Sequence, residues 1–347
     1  MKKTGLRLLA LTLVVLLVTV LAGCGGGDKK PAAADFKFKD EYKLTMNVTP
    51  QTIWGQGATK FAELAKQYTN GKVNIKVYPN AMLTGGDQMR QVEMVQNGSI
   101  DFMANSTINI APTIPEFDVW GLPFLFPDYK AVDAAMASPA AVNLFKSLES
   151  KGMIGLAWGE NGFREVTNNK KAIKTPDDMK GLKMRVVTPM YIDIMRALGA
   201  NAVSMNWGEV FTSLQQGVID GQENPIAGII IPNKVYEVQK QITNWHYSYD
   251  ALAVVANKRT FDSFPPEIRD QLKKAAVDAM KWEVAESRKS LDEGIKLLKD
   301  KGMTVTDLSS AELEPFRQMT KPVYDKYAQK VGPAVVKSFE EAVAKAK

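Results

Sequence analysis

Cysteine and histidine are almost missing from this chain of 347 residues, and their scarcity excludes several kinds of site. Cys24 is the only cysteine, so no disulfide can form within the chain. His246 is the only histidine, which rules out a multi-histidine metal site, and no acid–base partner stands beside it in the sequence. An interior or interface position is the simpler interpretation of His246. We therefore predict neither a metal site nor a cofactor.

A strong excess of one charge is also missing. The chain has 44 basic and 38 acidic residues, for a formal net charge of +6. Lys2, Lys3 and Arg7 belong to a segment that we expect to be removed, which leaves 41 basic against 38 acidic residues, or +3. This balance gives no support to nucleic-acid binding. The length suffices for two domains, and 45% hydrophobic with 24% charged residues is typical of globular proteins.

No hydrophobic run is long enough for a comfortable membrane span. The longest, Leu8–Leu21, has 14 residues and follows the basic N-terminus. It ends in the letters LAGC, which resemble a bacterial lipobox with Cys24 as the lipid acceptor. We predict that residues 1–24 are a lipoprotein signal peptide and that a diacylglyceryl group on Cys24 anchors the protein outside the cytoplasm. The alternative is an uncleaved signal anchor with an incidental cysteine.

A glycine-rich stretch follows the predicted cleavage point. Residues 25–37 begin with three glycines and are predicted to form a flexible tether. The glycines are not a phosphate-binding loop, because no strand precedes them and no Gly-Lys-Ser/Thr follows.

Strand-like and helical segments alternate in the first part of the chain, which predicts a largely parallel sheet. Strands are predicted at Tyr42–Val48, Val73–Tyr78 and Ser99–Met103, with helices over 54–68 and 86–97 between them. Ligands bind beyond the carboxyl ends of strands in such sheets. Asn47, Asn105 and Ser106 fall at these ends and are candidate ligand contacts. The alternative is ordinary turn chemistry.

Two arginines in the second part of the chain stand in strand-like segments. Arg164 lies in Gly162–Thr167, which follows a separate predicted strand over 154–159, and Arg185 lies in Leu182–Val187. Asn224 follows within 40 residues, in the turn-like run DGQENP. Guanidinium groups bind carboxylates in a two-point fork, so this combination indicates an anion site. The alternative is that the arginines are solvated strand residues.

Two helices in the second part of the chain have clear sequence signals. Asn206 stands three residues before Glu209, which predicts a capping box at the start of a helix. Trp207 begins this helix and either faces a ligand or packs in the core. A second helical pattern runs from Pro265 to Lys301 and would span roughly 50 Å.

Several of these segments together resemble a known family. The ordered blocks KGLKMRV, LGAN, MNWGEVFTSLQQGVIDGQENP and KVYEVQK are similar to the solute-binding proteins of TRAP (tripartite ATP-independent periplasmic) transporters. The upstream blocks KFAELAKQYTNGKVNIKVYPNAML, WGLPFLFPDY and WGENGFREVTNNKKAIKTPDDMKGLK fit the same pattern. The resemblance covers essentially the whole mature chain.

The resemblance implies an α/β, two-domain, periplasmic-binding-protein-like fold of type II. Such a fold has a hinge, a central ligand cleft and a long domain-spanning helix. We expect domain I to comprise residues 38–160 plus 250–285, and domain II to comprise residues 161–249 plus 286–347.

The resemblance also implies which side chains bind the ligand. Arg185 is expected to be the main carboxylate anchor, with Arg164 adding hydrogen bonds and charge. Asn224 and Asn47 would also reach the ligand, and Trp207 would lie against it. The acidic residue that sialic-acid-binding relatives use near the position of Asn105 is absent, which argues against a sialic acid ligand.

The resemblance implies an extracytoplasmic receptor that is not an enzyme. It would capture an organic acid by domain closure and deliver it to a TRAP membrane permease. A monomer is expected. One alternative is a ligand-sensing subunit that reports to a membrane kinase or chemoreceptor. Another is a lipid-anchored enzyme, but the sequence shows neither a nucleophile with a base nor a metal cluster.

Overall fold

The computed structural model describes residues 36–346. The predicted signal peptide, Cys24 and the tether up to residue 35 lie outside the described residues. Among the helices of residues 36–346, none combines the length and the apolar character needed to cross a membrane.

Within residues 36–346, ten strands form one hydrogen-bonded network with the order β2-β1-β3-β9-β4-β7-β5-β6, and β8 and β10 extend it from β4. The strands are β1 Tyr42–Thr45, β2 Ile75–Tyr78, β3 Phe102–Ser106, β4 Met153–Asn168, β5 Lys183–Val186, β6 Asn201–Ser204, β7 Gly221–Pro225, β8 Gln241–Asn244, β9 Tyr249–Asn257 and β10 Thr304–Asp307. β1, β2 and β3 are parallel, as are β5, β6 and β7. The centre is antiparallel, because β9 pairs with both β3 and β4, and β4 also pairs with β7.

Eleven α-helices of the described residues cover this network. They are α1 Ile53–Tyr68, α2 Arg90–Gln96, α3 Thr107–Ile110, α4 Tyr129–Met136, α5 Pro139–Ser147, α6 Pro189–Ala197, α7 Trp207–Gln215, α8 Lys258–Ser263, α9 Pro266–Asp300, α10 Ser310–Val331 and α11 Pro333–Ala344. The long helix predicted from Pro265 to Lys301 is present as α9. The helix predicted over residues 86–97 begins only at Arg90, after a short 3-10 turn over Met82–Thr84.

Strand β4 connects the two halves of the network. Its first half pairs with β9, in what we call the first sheet, together with β1, β2 and β3. Its second half pairs with β7 and β8, in what we call the second sheet, together with β5, β6 and β10. The sequence predicted two separate strands, over 154–159 and over Gly162–Thr167. That prediction was wrong because the pairing with β9 continues through a register shift between Glu160 and Gly162 and reaches Phe163. Gly162 itself has a φ of +114°.

Strand β3 also differs from the sequence prediction. Asn105 and Ser106, predicted in a turn, lie within β3, because that strand stays paired with β9 as far as Ser106 opposite Leu252. The chain leaves the sheet immediately afterwards. The Ser106 hydroxyl accepts a hydrogen bond from the backbone N–H of Ile108 and caps the short helix α3.

The C-terminal helices pack against elements from both parts of the chain. Phe339 of α11 makes an edge contact with the ring of Trp120, which is fully buried. Phe316 of α10 meets Trp245 in the same way. Domain boundaries at residues 160, 249 and 285 stay predictions.

His246 is partly buried beside Glu165. Its Nδ1 lies 2.8 Å from Glu165 Oε1, and its ring stacks on Phe163. Burial acts to lower the pKa of His246, but the charge and the hydrogen bond of Glu165 outweigh it and raise that pKa above its ordinary value. The other carboxylate oxygen, Oε2, accepts the backbone N–H groups of Trp245 and His246. His246 therefore helps to fix the backbone that leads into β9.

Helix α9 crosses helix α1 closely, and a glycine makes this crossing possible. An ideal Cβ on Gly57 would lie 2.6 Å from Cγ and 2.9 Å from Cβ of the buried Glu283. Glu283 in turn accepts the backbone N–H of Glu160 at 3.0 Å, which ties α9 to β4. Burial raises the pKa of Glu283 well above its ordinary value.

The close contact of α1 and α9 at Gly57 predicts that a larger side chain there destabilises the protein. Helix propensity alone favours alanine over glycine by up to about 1 kcal/mol at a helical position. We expect Gly57→Ala to lower the free energy of unfolding by about 1–3 kcal/mol instead, because Glu283 must move. Gly208→Ala is the control, since no atom lies within 4 Å of its added Cβ. Urea unfolding of both variants checks this, and a stabilised Gly57→Ala would show that the crossing can relax.

Candidate ligand-binding site

A narrow cavity of about 30 Å³ lies between the two sheets. Its walls come from the segment after β1, the end of β3, the middle of β4, the ends of β5 and β7, and the start of β9. The lining residues are Asn47, Val48, Trp54, Gln88, Ser106, Asn109, Asn161, Arg164, Arg185, Val187, Trp207, Asn224, Ile229 and Asp250. A volume of this size holds a water molecule but no organic acid. The cleft between the sheets is therefore closed in this structure, and a ligand enters only if it opens.

Arg185 occupies the second-sheet side of this cavity and is 1% exposed. Its Nε and Nη2 both donate to the carbonyl oxygen of Met205, at 2.9 and 2.6 Å. Its guanidinium lies 5.6 Å from the centre of the Trp207 ring. Within residues 36–346 it forms no ion pair, and its Nη1 has no hydrogen-bond partner. The outer edge of this guanidinium, Nη1 with the second N–H of Nη2, is available for a carboxylate.

The electrostatic state of Arg185 reflects its burial. Burial is the largest influence and lowers its pKa to about 10, and the nearby charge of Arg164 acts in the same direction. The negative charge of Glu223 opposes both. Arg185 is therefore a cation at neutral pH, held in a site that solvates it poorly.

Arg164 is buried in the same cavity but is engaged by protein carboxylates. Its Nε and Nη2 contact both carboxylate oxygens of Glu223, and Nη2 also donates to the Glu223 carbonyl at 2.8 Å. Its Nη1 donates to Asp250 Oδ2 at 2.9 Å. Burial alone would lower the pKa of Arg164, but the two carboxylates raise it well above its ordinary value. One N–H of Nη1 is left for a ligand.

Asp250 is the carboxylate that faces the cavity from the start of β9. Its Oδ1 accepts from the Ser106 hydroxyl at 2.6 Å, and its Oδ2 accepts from Asn161 Nδ2 at 2.8 Å as well as from Arg164. Burial raises the pKa of Asp250, while Arg164 and the two neutral donors act in the opposite direction. This network ties β3, β4 and β9 together at the wall of the cavity.

Gln88 connects the two sides of the cleft. Its Oε1 accepts the backbone N–H of Trp207 at 3.1 Å, and its Nε2 donates to Asn109 Oδ1 at the same distance. Gln88 and Asn109 belong to the first-sheet side, whereas Trp207 begins α7 on the second-sheet side. The bond from Trp207 to Gln88 therefore bridges the closed cleft.

Removing this bond should weaken ligand binding. We expect Gln88→Ala to lower affinity about threefold to tenfold, because one hydrogen bond of the closed form is lost. Gln91→Ala is a matched control, since the buried Gln91 bonds Thr45 and the backbone of Gln88 on the first-sheet side only. Calorimetric titration with a bound acid measures the difference. Equal losses in the two variants would contradict this explanation.

A wider chamber of about 240 Å³ adjoins the cavity and shares three lining residues with it: Asn47, Gln88 and Trp207. Its other lining residues are Asn80, Ala81, Gly85, Gly86, Asn206, Gly208 and Glu209. We call it the outer chamber. The capping box predicted for Asn206 and Glu209 is wrong, because Asn206 makes no side-chain capping bond and instead lines this chamber.

Six of the seven side chains predicted to bind a ligand line the cavity: Arg185, Arg164, Asn224, Trp207, Asn47 and Ser106. Asn105 is not part of this lining. Its Oδ1 accepts from the Ser106 backbone N–H and from Asn109 Nδ2, so it supports Asn109 from behind. Gln88, Asn109, Asn161 and Asp250 also line the cavity but were not predicted from the sequence. Single amides leave no recognisable pattern, and Asp250 could have been found only from its place at the start of a buried strand.

Residues 44–330 match the family model described as bacterial extracellular solute-binding protein, family 7. The chain belongs to this family. Its members are solute-binding transport proteins rather than enzymes, and they act in the periplasm or elsewhere outside the cytoplasm.

Individual relatives agree with this assignment. The C4-dicarboxylate-binding periplasmic protein DctP of Rhodobacter capsulatus is 34% identical over 305 residues. The match covers 87% of this chain and 90% of that protein. A TRAP periplasmic solute-binding protein from Ralstonia eutropha H16, solved with bound (S)-2-acetolactate, is 43% identical with a TM-score of 0.87. The match covers 89% of this chain and 100% of that one.

A third relative is the sugar-acid-binding protein DctPAm from Advenella mimigardefordensis, solved in complex with galactonate. It is 32% identical with a TM-score of 0.84, and the match covers 90% of this chain and 100% of that one. The α/β two-domain fold predicted from the sequence is thereby confirmed.

Proposed function

We propose that this family 7 protein is an extracytoplasmic receptor that binds an organic acid through Arg185. The cleft closes on the acid, and the receptor delivers it to the membrane permease of a TRAP transporter. The observation that carries the proposal is the buried guanidinium of Arg185, which has no carboxylate partner within residues 36–346 and lies in a cavity walled by amides. The acids bound by the relatives, acetolactate and galactonate among them, support the same ligand class.

The energetics require more than one contact. Micromolar affinity corresponds to about −8 kcal/mol. A charge-assisted hydrogen bond contributes about 1.5–3 kcal/mol, so the free edge of Arg185 supplies only part of this. The remaining N–H of Arg164, the amides of Asn47 and Asn224, and water exclusion on closure would supply the rest. Trp207 would cover the ligand beside Arg185.

Opening and closing would centre on β4, the strand shared by both sheets. The register shift at Gly162 and the antiparallel neighbour β9 mark the place where the two sheets meet. Hinge closure around a ligand requires only a few residues whose backbone angles change. We propose this region as the hinge.

A thermal-shift screen tests the proposed ligand class. The purified protein would be scanned with organic acids and with neutral sugars and amides of similar size. An acid at 100 times its dissociation constant should add about 2.7 kcal/mol of stability. A shift with one class of acids supports the proposal. Shifts with neutral compounds only, or with none of the acids, would overturn it.

We also propose that the protein is a monomer held at the membrane by lipid on Cys24, which lies outside the described residues. Cell fractionation tests the anchor, because Cys24→Ser should move the protein from the membrane fraction to the soluble fraction. An unchanged distribution would reject the lipid anchor without affecting the ligand site.

A further inference from the structure

We infer that the ligand of this protein carries a single carboxylate, and that the rest of the ligand is uncharged and bears hydroxyl groups. This inference rests on the proposed function, in which Arg185 binds a carboxylate. It excludes C4-dicarboxylates as the preferred ligands, although one of the relatives is a C4-dicarboxylate-binding protein. Three features of the cavity and the outer chamber carry it.

The first feature is the number of cations available to a ligand. Among residues 36–346, Arg164 and Arg185 are the only basic residues that line the cavity. Arg164 already contacts the carboxylates of Glu223 and Asp250, and a single N–H remains. Arg185 has one free edge, which fits one carboxylate in a two-point fork. The cavity therefore neutralises one ligand carboxylate fully and has no second cation for another.

The second feature is the chemistry of the other residues that line the cavity. Beyond the arginines, the polar lining consists of amides, the Ser106 hydroxyl and the Asp250 carboxylate. A second ligand carboxylate near Asp250 would meet only Arg164, whose charge Glu223 and Asp250 already neutralise, and like charges placed close together in a buried site repel strongly. A hydroxyl group in that place can donate a hydrogen bond to Asp250 or to a neighbouring amide oxygen.

Two amide oxygens in this lining need a donor. Oδ1 of Asn47 and Oδ1 of Asn161 are buried and have no hydrogen-bond partner within the described residues. The orientation of the Asn161 amide is set by its Nδ2, which donates to Asp250. A carboxylate only accepts hydrogen bonds, so it cannot satisfy either oxygen, whereas a hydroxyl can.

The third feature is the outer chamber, where a longer ligand would extend. In the described part of the chain its lining contains no basic residue, and the only charged residue there is Glu209. The far end of a diacid would therefore meet a negative charge there as well. A dicarboxylate therefore lacks a second free cation whether it lies within the cavity or extends into the outer chamber.

Matched pairs of acids test the inference on the wild-type protein. In each pair the monoacid ends in a primary alcohol and the diacid ends in a second carboxylate on the same carbon skeleton: galactonate with galactarate, erythronate with meso-tartrate, and 4-hydroxybutyrate with succinate. Affinities would be measured by calorimetric titration at pH 7. For each pair that binds, we expect the monoacid to bind about 30-fold more tightly or better.

The results of these titrations distinguish a failure of the single-carboxylate inference from a failure of the acid-receptor function. Diacids that bind as tightly as their monoacids would overturn the single-carboxylate inference and leave the acid-receptor function standing. If no acid of either kind binds, including acetolactate as a further monoacid, the acid-receptor function itself fails and the inference fails with it. Tighter binding of the monoacids supports both.

A pH series gives a second measurement that needs no variant. Lowering the pH from 7 through the pKa of a diacid's second carboxyl protonates that group and removes the charge that the site disfavours. The affinity ratio between monoacid and diacid should then fall, by up to about tenfold for each pH unit below that carboxyl's pKa. The monoacid measured over the same range corrects for titration of the protein. A constant ratio would contradict the inference.

Discussion

Replacing Arg185 by methionine is expected to abolish acid binding and to leave the fold almost unchanged in stability. The ligand carboxylate would lose its only free cation, and truncating one partner of a buried charge pair lowers affinity by about 100-fold or more. Stability should respond differently, because Arg185 has no carboxylate partner in the described part of the chain. Replacing a poorly solvated charge by an apolar side chain of similar size removes a desolvation penalty.

The stability of Arg185→Met therefore distinguishes a binding residue from a structural one. The variant loses the two hydrogen bonds to Met205, so we expect its free energy of unfolding to stay within about 1–2 kcal/mol of wild type. Urea unfolding and calorimetric titration would be run on the same preparations. Arg196→Ala, which removes an exposed arginine, should change neither quantity. A large loss of stability in Arg185→Met, with binding retained, would refute the anchor.

The same arginine sets the pH limit of binding. Burial first, and then the charge of Arg164, lower the pKa of Arg185 to about 10. The guanidinium is charged below that pH and loses its proton above it, so affinity should be present at neutral pH and decline as the pH rises beyond about 10. A histidine anchor would also lose affinity as the pH rises, but through about 6.5, so the pH at which binding declines distinguishes the two.

The sequence predicted that Arg164 and Arg185 both bind the ligand. It did not predict that Arg164 pairs with protein carboxylates while Arg185 stays without one in the described residues. Both stand in strands of the second sheet, and no local pattern separates a paired guanidinium from a free one. The difference arises from Glu223, 59 residues after Arg164, and from Asp250, which pairs with it across the antiparallel strands β4 and β9. Contacts between residues so far apart in the sequence depend on the register of the strands, which the sequence pattern does not specify.

The helices and strands were easier to predict than the lining of the cavity. Helix α9 was predicted to within one residue at either end, because Pro265 and Pro266 begin it and Gly302 follows it. Strand β4 was divided in two because Gly162 resembles a break, although the pairing partner β9 holds the backbone on both sides of it. Gln88 was missed because its importance lies in a contact with Trp207, across the cleft.

Replacing Glu223 by glutamine is expected to destabilise the protein strongly, in contrast to Arg185→Met. Glu223 is fully buried and accepts hydrogen bonds from Arg164 and from the Tyr247 hydroxyl, the latter at 2.7 Å. Glutamine would present an NH2 group to one of these donors and would leave the positive charge of Arg164 with Asp250 alone. Breaking a buried ion pair by removing one partner lowers the free energy of unfolding by about 3–5 kcal/mol.

The control for this change is Glu341→Gln, because Glu341 forms an exposed ion pair with Lys337 at 3.9 Å. Exposed pairs contribute little, so we expect a change below about 1 kcal/mol. Urea unfolding at pH 7 measures both variants.

A double variant shows whether the penalty comes from the unpaired charge. Arg164→Met added to Glu223→Gln removes the charge that Glu223→Gln leaves behind, so the double variant should recover part of the lost stability. The two substitutions are in direct contact, and their effects should therefore not add. Additive losses would mean that Arg164 gains no stabilisation from Glu223.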